Sequence, residues 1–304
     1  MKIYYTKPRY CYWAWHDIFK ELINYLQNKY NAELIFDENN NTYLAEYDYI
    51  LQDCDMLVYD EENDILKGLT FSENKVDFLN KVFHKRNNPN DFVLLTQFYN
   101  WFPDLNQDDQ NFIFKVKPTS FYPYSANMDY DVYYHKRQQL SYDDLNDKMF
   151  LLYTTERGDG PILRDLELLS ENPGPLSLDG YLNLAIQHRI GLSITGIAEI
   201  CHRDFEYMAI GLPMLRLEYM NKLDPPLIAN YHYIAVNRDN LDWDVHKNRI
   251  GGETYVEAYK NRYLEVKNDK DFLDFISKNA REYYKKYSHP TTRLTHLLKL
   301  LNLN

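Results

Sequence analysis

Apolar positions along this chain follow two alternating patterns, and the alternation predicts its architecture. "KIYY" (2–5) is a short apolar run that reads as a strand. "HDIFKELINYLQNKY" (16–30) sets Ile18, Phe19, Leu22, Ile23 and Leu26 at helical spacing, and "AELIF" (32–36) is again strand-like. Strand, helix and strand within about 35 residues is the βαβ pattern of a parallel sheet. "YDYILQ" (47–52) and "DMLVYD" (55–60) add strands, and "KVDFLNKVFHKR" (75–86) is a helix before the strand "DFVLLTQF" (91–98). "NFIFKV" (111–116) closes this half.

Both periodicities lapse over 117–147, where Pro, Ser, Asn and Asp gather, and this stretch reads as an interdomain connection. A second α/β run starts at the strand "KMFLLYT" (148–154). "GPILRDLELLSE" (160–171) and "GYLNLAIQHR" (180–189) read as helices, and "IGLSIT" (190–195) as a strand. "CHRDFEYMAIGLPML" (201–215) then combines a helix, a stop at Gly211 and Pro213, and the start of the strand "PMLRL". Its helical part puts Cys201, Phe205, Met208 and Ala209 on one face and Glu199, His202, Arg203 and Glu206 on the other. The strand "HYIAV" (232–236) and two terminal helices, 269–287 and 291–301, complete the chain. The expected fold is α/β, two Rossmann-like domains facing a cleft and followed by C-terminal helices. The expected divisions are an N-terminal domain over 1–135, a C-terminal domain over 136–285, and a helical tail over 286–304 that packs back toward the first.

Composition narrows the partners. The 304 residues carry 45 acidic and 34 basic side chains, a formal charge of −11, which argues against a nucleic-acid partner because phosphate backbones demand basic surface. Cys11, Cys54 and Cys201 match no zinc or disulfide spacing. No apolar run is long enough to span a membrane, and the first residues lack the apolar block of a signal peptide, so a cytoplasmic location is expected.

In parallel sheets ligands bind beyond the carboxyl ends of the strands, near helix N-termini. That rule points to residues 154–161, 195–200 and 237–244. "TTERGDGPILRD" sets Arg157 beside Gly158 and Gly160 in a strand-to-helix turn, with Arg164 following, which is suitable equipment for a diphosphate. It is neither a Walker loop nor a G-x-G-x-x-G turn. "TGIAEICHRDFE" repeats the arrangement: Gly196 allows close backbone approach, Arg203 can reach back toward phosphate, and Glu206 can accept a pair of hydroxyls. A solvated Arg157 turn and a simple Arg203–Glu206 pair are the bland alternatives.

"RDFEYMAIGLPML" resembles the C-terminal signature of GT-B nucleotide-sugar glycosyltransferases, roughly Arg/Ser-x-x-Glu-x-x-Ala-x-Gly-x-Pro-hydrophobic. The succession "FLLYTTERGDGPILRDLELL", "GLSITG", the signature and "NYHYIAVNRDNL" is most similar to the exostosin-like and capsule-associated or protein O-glucosyltransferase families, over residues 148–285. The resemblance implies transfer of a hexosyl or pentosyl group from a UDP- or GDP-sugar to a hydroxyl acceptor on a glycan, protein or lipid. It implies that Glu206 holds the donor ribose, that Arg157 and Arg203 neutralise the diphosphate, and that His232 and Tyr233 line the cleft.

Two features depart from those families. Cys201 and Leu212 stand where they often carry Ser and Cys, and Glu199 and Glu206 are one residue short of the Glu-x7-Glu spacing common in retaining enzymes, which favours inversion. Inverting members commonly place a base where His16 and Asp17 stand, although this pair also makes an ordinary helix cap. Trp13 and Trp15 in the same loop are candidates for stacking on an acceptor sugar. Asp-x-Asp occurs at 53–55, 129–131 and 242–244, near chance in so acidic a chain, and His202 with Glu206 lacks a third ligand, so no metal and no cofactor is expected. A non-catalytic nucleotide- or glycan-binding protein of the same fold is the second reading, and a metal-dependent GT-A enzyme or hydrolase the third.

Overall fold

A computed structural model describes residues 2–6, 21, 24–31, 33–37, 49–52, 57–60, 65–68, 92–94, 129–151, 170–171, 176–194, 202–219, 225–237, 243–244, 249–250 and 253–300. The chain divides into two compact units: residues 1–122, 221–224 and 293–304 form one, and 123–220 with 225–292 the other.

The first unit contains β1 (Lys2–Thr6), β2 (Glu33–Asp37), β3 (Tyr49–Gln52), β4 (Leu57–Asp60), β5 (Ile65–Gly68) and β6 (Phe92–Leu94). Four of these form a parallel sheet in the order β2-β1-β3-β6. Helix α1, residues 24–30, lies between β1 and β2 in the chain, so the βαβ reading of the first 37 residues holds. "DMLVYD" supplies β4, which pairs antiparallel with β5 in a separate two-stranded ribbon. The predicted helix at 75–86 and strand at 111–116 lie outside the described residues.

The second unit holds α2 (Tyr130–Gln138), β7 (Met149–Phe150), β8 (Ser170–Glu171), α3 (Leu178–Ala185), β9 (Gly191–Ser193), α4 (His202–Ile210), β10 (Met214–Leu217) and β11 (Ile234–Val236). A small antiparallel pair, β12 (Trp243–Asp244) and β13 (Arg249–Ile250), precedes α5 (Glu253–Val266) and α6 (Lys270–Tyr287). The main sheet runs β11-β10-β9-β7-β8 and is parallel throughout. Strands β7, β9, β10 and β11 are buried, as the strands of a parallel sheet covered on both faces are. Met149, Leu151, Leu192, Ile194, Leu215, Leu217, Ile234 and Val236 pack with Tyr259, Tyr263 and Val266 of α5 and with Leu273 and Ile276 of α6. On the side of Phe150, the rings of Tyr181 and Tyr207 close the layer at 5.4 and 6.4 Å.

Three elements depart from the sequence reading. The stretch read as a connection contains α2, whose Tyr130, Tyr133 and Arg137 are buried at i, i+3 and i+7; residue 135 therefore stands inside a helix of the second unit. Its apolar stripe consists of tyrosines and an arginine stem, which an aliphatic count passes over. The same holds for α5, which buries Tyr259, Tyr263 and Val266 at i, i+4 and i+7. Ser170–Glu171, read as the tail of a helix, instead forms the edge strand β8. The last helix, α7 (Arg293–Leu300), belongs to the first unit, where the fully buried Arg293 grips Glu21 through Nη2–Oε1 at 2.5 Å and Nε–Oε2 at 3.2 Å. No helix among the described residues is long and apolar enough to cross a membrane.

Gly191 opens β9 where α4 lies against it. A Cβ there would stand 2.6 Å from the Tyr207 ring and 2.8 Å from the Leu212 side chain. We expect Gly191→Ala to cost about 1–3 kcal/mol through overpacking, read as a lower urea midpoint at unchanged slope. An unshifted midpoint would show that α4 is not seated on β9 in this way.

Candidate functional site

The strand order of the second unit singles out one position. From β7 the chain moves outward to β8, then returns beside β7 as β9 and proceeds the other way through β10 and β11. In open parallel sheets, connections at such a reversal leave the carboxyl edge in opposite directions, and ligands bind in the crevice this opens. The segments that follow β7 and β9 in the chain, 152–169 and 195–201, lie outside the described residues. Beside the reversal β9 and β10 part after the Ser193–Arg216 pairing. The Tyr259 hydroxyl fits between them, accepting the Leu217 N–H at 2.8 Å and donating to the Ser193 carbonyl at 3.5 Å.

Helix α4 follows β9, so its first turn stands at this edge. Phe205, Met208 and Ala209 are buried, as the helical reading expected. Tyr207 and Ile210 are buried as well, and so is Asp204, which leaves Arg203 and Glu206 as the partly exposed side chains of residues 203–210. Residues 203–210 are thus embedded except for this one partly exposed polar pair.

Both ends of the helix are fixed. At the start, the Asp204 carboxylate is 0% exposed: Oδ1 accepts the Ser193 hydroxyl, and Oδ2 accepts Arg216 Nη1 at 2.6 Å and the Tyr219 hydroxyl at 3.0 Å. Arg216 is 1% exposed, stacks 3.2 Å from the Tyr219 ring centre and donates Nε to the Leu217 carbonyl at 2.9 Å. A carboxylate in a first helical turn also complements the helix dipole. At the other end Gly211 adopts φ +69°, the left-handed C-cap that glycine favours. Its carbonyl accepts Arg137 Nε at 3.1 Å and the Ser277 hydroxyl at 2.6 Å, while Arg281 donates to the Ala209 carbonyl. Arg137 Nη1 also donates to the Ile186 and His188 carbonyls, both at 2.6 Å. Burial pushes the Arg137 guanidinium down to about 10, which leaves it charged at neutral pH.

Glu206 sits in a tyrosine-rich surround. Burial pushes its carboxyl up to about 7; the Tyr181 hydroxyl and the Arg203 charge pull the other way, and Asp204 adds a smaller upward push. The Tyr181 hydroxyl is buried and close enough to exert that pull, short of a well-formed hydrogen bond. Its ring stacks at 25° on Tyr207, 6.5 Å away. The ionised carboxylate raises the Tyr130 phenol in turn, after desolvation. Arg203 and Glu206 therefore influence each other, as their i, i+3 spacing allowed.

Of the remaining candidates, Arg157, Arg164 and Gly196, and Trp13, Trp15, His16 and Asp17, lie outside the described residues. His232 and Tyr233 precede β11 and are buried. His232 Nδ1 accepts the Ile228 N–H at 2.8 Å, and desolvation pushes its imidazole down to about 4, so it brings no positive charge to a phosphate at neutral pH. The Tyr233 hydroxyl accepts the Tyr219 N–H at 3.4 Å. The "DYD" motif serves the fold: Asp129 caps α2 through the Asp131 N–H, and Asp131 pairs with Arg281. The sequence reading missed Asp204, Ser193, Arg216, Tyr219 and Tyr181. One signal was available: Arg216 is a cation inside an apolar strand, and such a residue needs a buried anion.

No protein-family model matches this chain, and no curated protein matches it in sequence. Solved structures similar to it include a glycosyltransferase from Rickettsia africae ESF-5, at 12% identity over 99% of this chain and 97% of that one, with a TM-score of 0.46. Anabaena Alr3699/HepE, solved in complex with UDP and glucose, is 10% identical over 99% of both chains, with a TM-score of 0.49. TarM is 12% identical over 93% of this chain and 57% of its own, with a TM-score of 0.48.

The raised Glu206 carboxyl has a sign that can be tested. The folded protein holds this proton more tightly than the unfolded chain, so stability falls as pH rises from 4.5, the ordinary carboxyl value, to about 7. We expect the melting temperature of Glu206→Gln to exceed that of the native protein at about pH 8, with the gap closing toward about pH 4.5. A gap independent of pH would place the carboxyl in a solvated setting.

Proposed function

We propose that this protein is a glycosyltransferase that moves a sugar from a UDP- or GDP-sugar to a hydroxyl acceptor, with inversion and without a metal. The observation that carries the reading is the outward pair on α4: Arg203 and Glu206 are partly exposed on a helix otherwise embedded in the core, and its first turn stands beside the reversal of strand order. A guanidinium and the N–H groups of a helix start suit the two linked phosphates of such a donor. A carboxylate one turn further along suits the vicinal hydroxyls of its ribose. Arg157 and Arg164, in the segment that leaves β7, are proposed to join Arg203 on the diphosphate, and Gly196 to let the backbone approach it.

In this reaction the acceptor oxygen attacks the anomeric carbon from the face opposite the diphosphate. The carbon–oxygen bond to the diphosphate breaks, and the acceptor proton passes to a base, for which His16 with Asp17 is proposed. Charge builds on the departing diphosphate, and Arg203 acts by stabilising that charge as it develops. Trp13 and Trp15 are proposed to stack on the acceptor. The burial of Glu206 adds a condition: its carboxyl binds ribose hydroxyls best when ionised, and Arg203 favours that form.

The test is a thermal-shift screen against UDP, GDP and their sugars, followed by assay of diphosphate release, since a ligand specific for the folded state stabilises it by mass action. Arg203→Ala is expected to keep the fold and to lose roughly 10²–10³-fold in kcat. Near-normal turnover in a folded Arg203→Ala protein removes this role, and donor binding with no release of nucleoside diphosphate favours a non-catalytic binding protein.

A further inference from the structure

We infer that Asp204 is a positioning residue for the donor site, holding the start of α4 in register with the ends of β9 and β10 so that Arg203 meets the diphosphate as charge develops on it. This role rests on the glycosyl-transfer reading given above.

Asp204 is the neighbour of Arg203 in the chain and lies in the same first turn, yet the two side chains go opposite ways: Arg203 stays partly exposed while Asp204 is fully buried. The three groups on Asp204 come from separate places. Ser193 ends β9, Arg216 is in β10, and Tyr219 lies just past β10. A helix start tied to two strand ends cannot shift or rotate without breaking at least one of these bonds. Of those strands, β9 borders the reversal of strand order and β10 lies next to it, and the Tyr259 hydroxyl pins their ends a second time.

The arrangement exceeds what stability requires. A buried ion pair is a weak source of stability, because desolvating both charges offsets most of their attraction, and an apolar pair of similar volume often serves as well. It does supply direction. Asp204 has a fixed set of donors that an apolar side chain would lack, and through the backbone it orients the adjacent guanidinium. Small misplacements of a group that stabilises a transition state are costly, up to roughly a hundredfold for about 1 Å.

Three variants separate positioning from folding, each assayed with whichever of UDP-glucose, UDP-galactose and GDP-mannose the native protein turns over fastest. Ser193→Ala and Tyr219→Phe each remove one hydrogen bond to Asp204 and leave the ion pair in place. We expect kcat to fall by roughly tenfold in each, with donor KM within about twofold of the native value and the fold intact at the assay temperature, although the melting temperature drops because a buried carboxylate loses a hydrogen bond. The combined replacement Asp204→Leu with Arg216→Met removes the charges but keeps the volume. It is expected to melt near the native temperature while kcat stays down by roughly a hundredfold.

Recovery of native kcat along with native stability in the combined variant shows that the pair serves folding alone and overturns the role. Unchanged kcat in both single variants does the same, and these two decide the matter if the combined variant does not fold. A native protein inert toward all three donors overturns the transfer reading and this role together. Native turnover with unaffected variants removes only the role of Asp204.

Discussion

The ion pair between Asp204 and Arg216 is the constraint from which the arrangement of the second unit follows. Each charge is sealed from water, so each must be satisfied by the other and by the groups around them: Ser193, Tyr219 and the Leu217 carbonyl. Leaving either charge alone in that interior would cost about 3–5 kcal/mol, a large share of the stability of an ordinary domain. The pair therefore fixes where α4 begins relative to the strand ends. Once the start is set, the nine residues of the helix place Tyr207 on Gly191 and bring Gly211 to the Arg137 and Ser277 side chains.

A second theme is the use of cations inside an acidic protein. With a net charge of −11, the chain still buries Arg137, Arg216, Arg281 and Arg293. Arg137 and Arg281 lie at helix ends, where carbonyl groups lack intrahelical partners and the dipole favours positive charge. Arg216 and Arg293 each hold a carboxylate. These guanidinium groups serve the fold. Arg203 differs in remaining partly exposed, at a helix start, where the dipole offers a cation no stabilisation of its own.

Much of the backbone was legible in the apolar pattern. Short aliphatic runs such as "PMLRL" and "IGLSIT" contain the strands β10 and β9, and the Gly-Leu-Pro stop ends α4 where expected. The helices that escaped, α2 and α5, bury tyrosines where other chains bury leucine, and Tyr is ambiguous as a core signal because its hydroxyl tolerates the surface. The site was legible in part. Arg203 and Glu206 emerge from helical geometry as the outward stripe, whereas Asp204 in the same stretch turns inward, since its partners on β9 and β10 are distant in sequence. The setting of Glu206 depends on Tyr181, some 25 residues earlier on α3, a contact that no local pattern encodes.

The claim at the centre of this account is that the carboxyl edge around β7, β9 and the first turn of α4 is an anion site for a nucleoside diphosphate. Amide hydrogen exchange, followed across the whole protein with and without saturating UDP or GDP, tests it most directly. Slowed exchange concentrated in residues 152–160 and 195–207 is the expected result. Protection absent from those segments, or confined to the amino edge around residues 228–233, would contradict it.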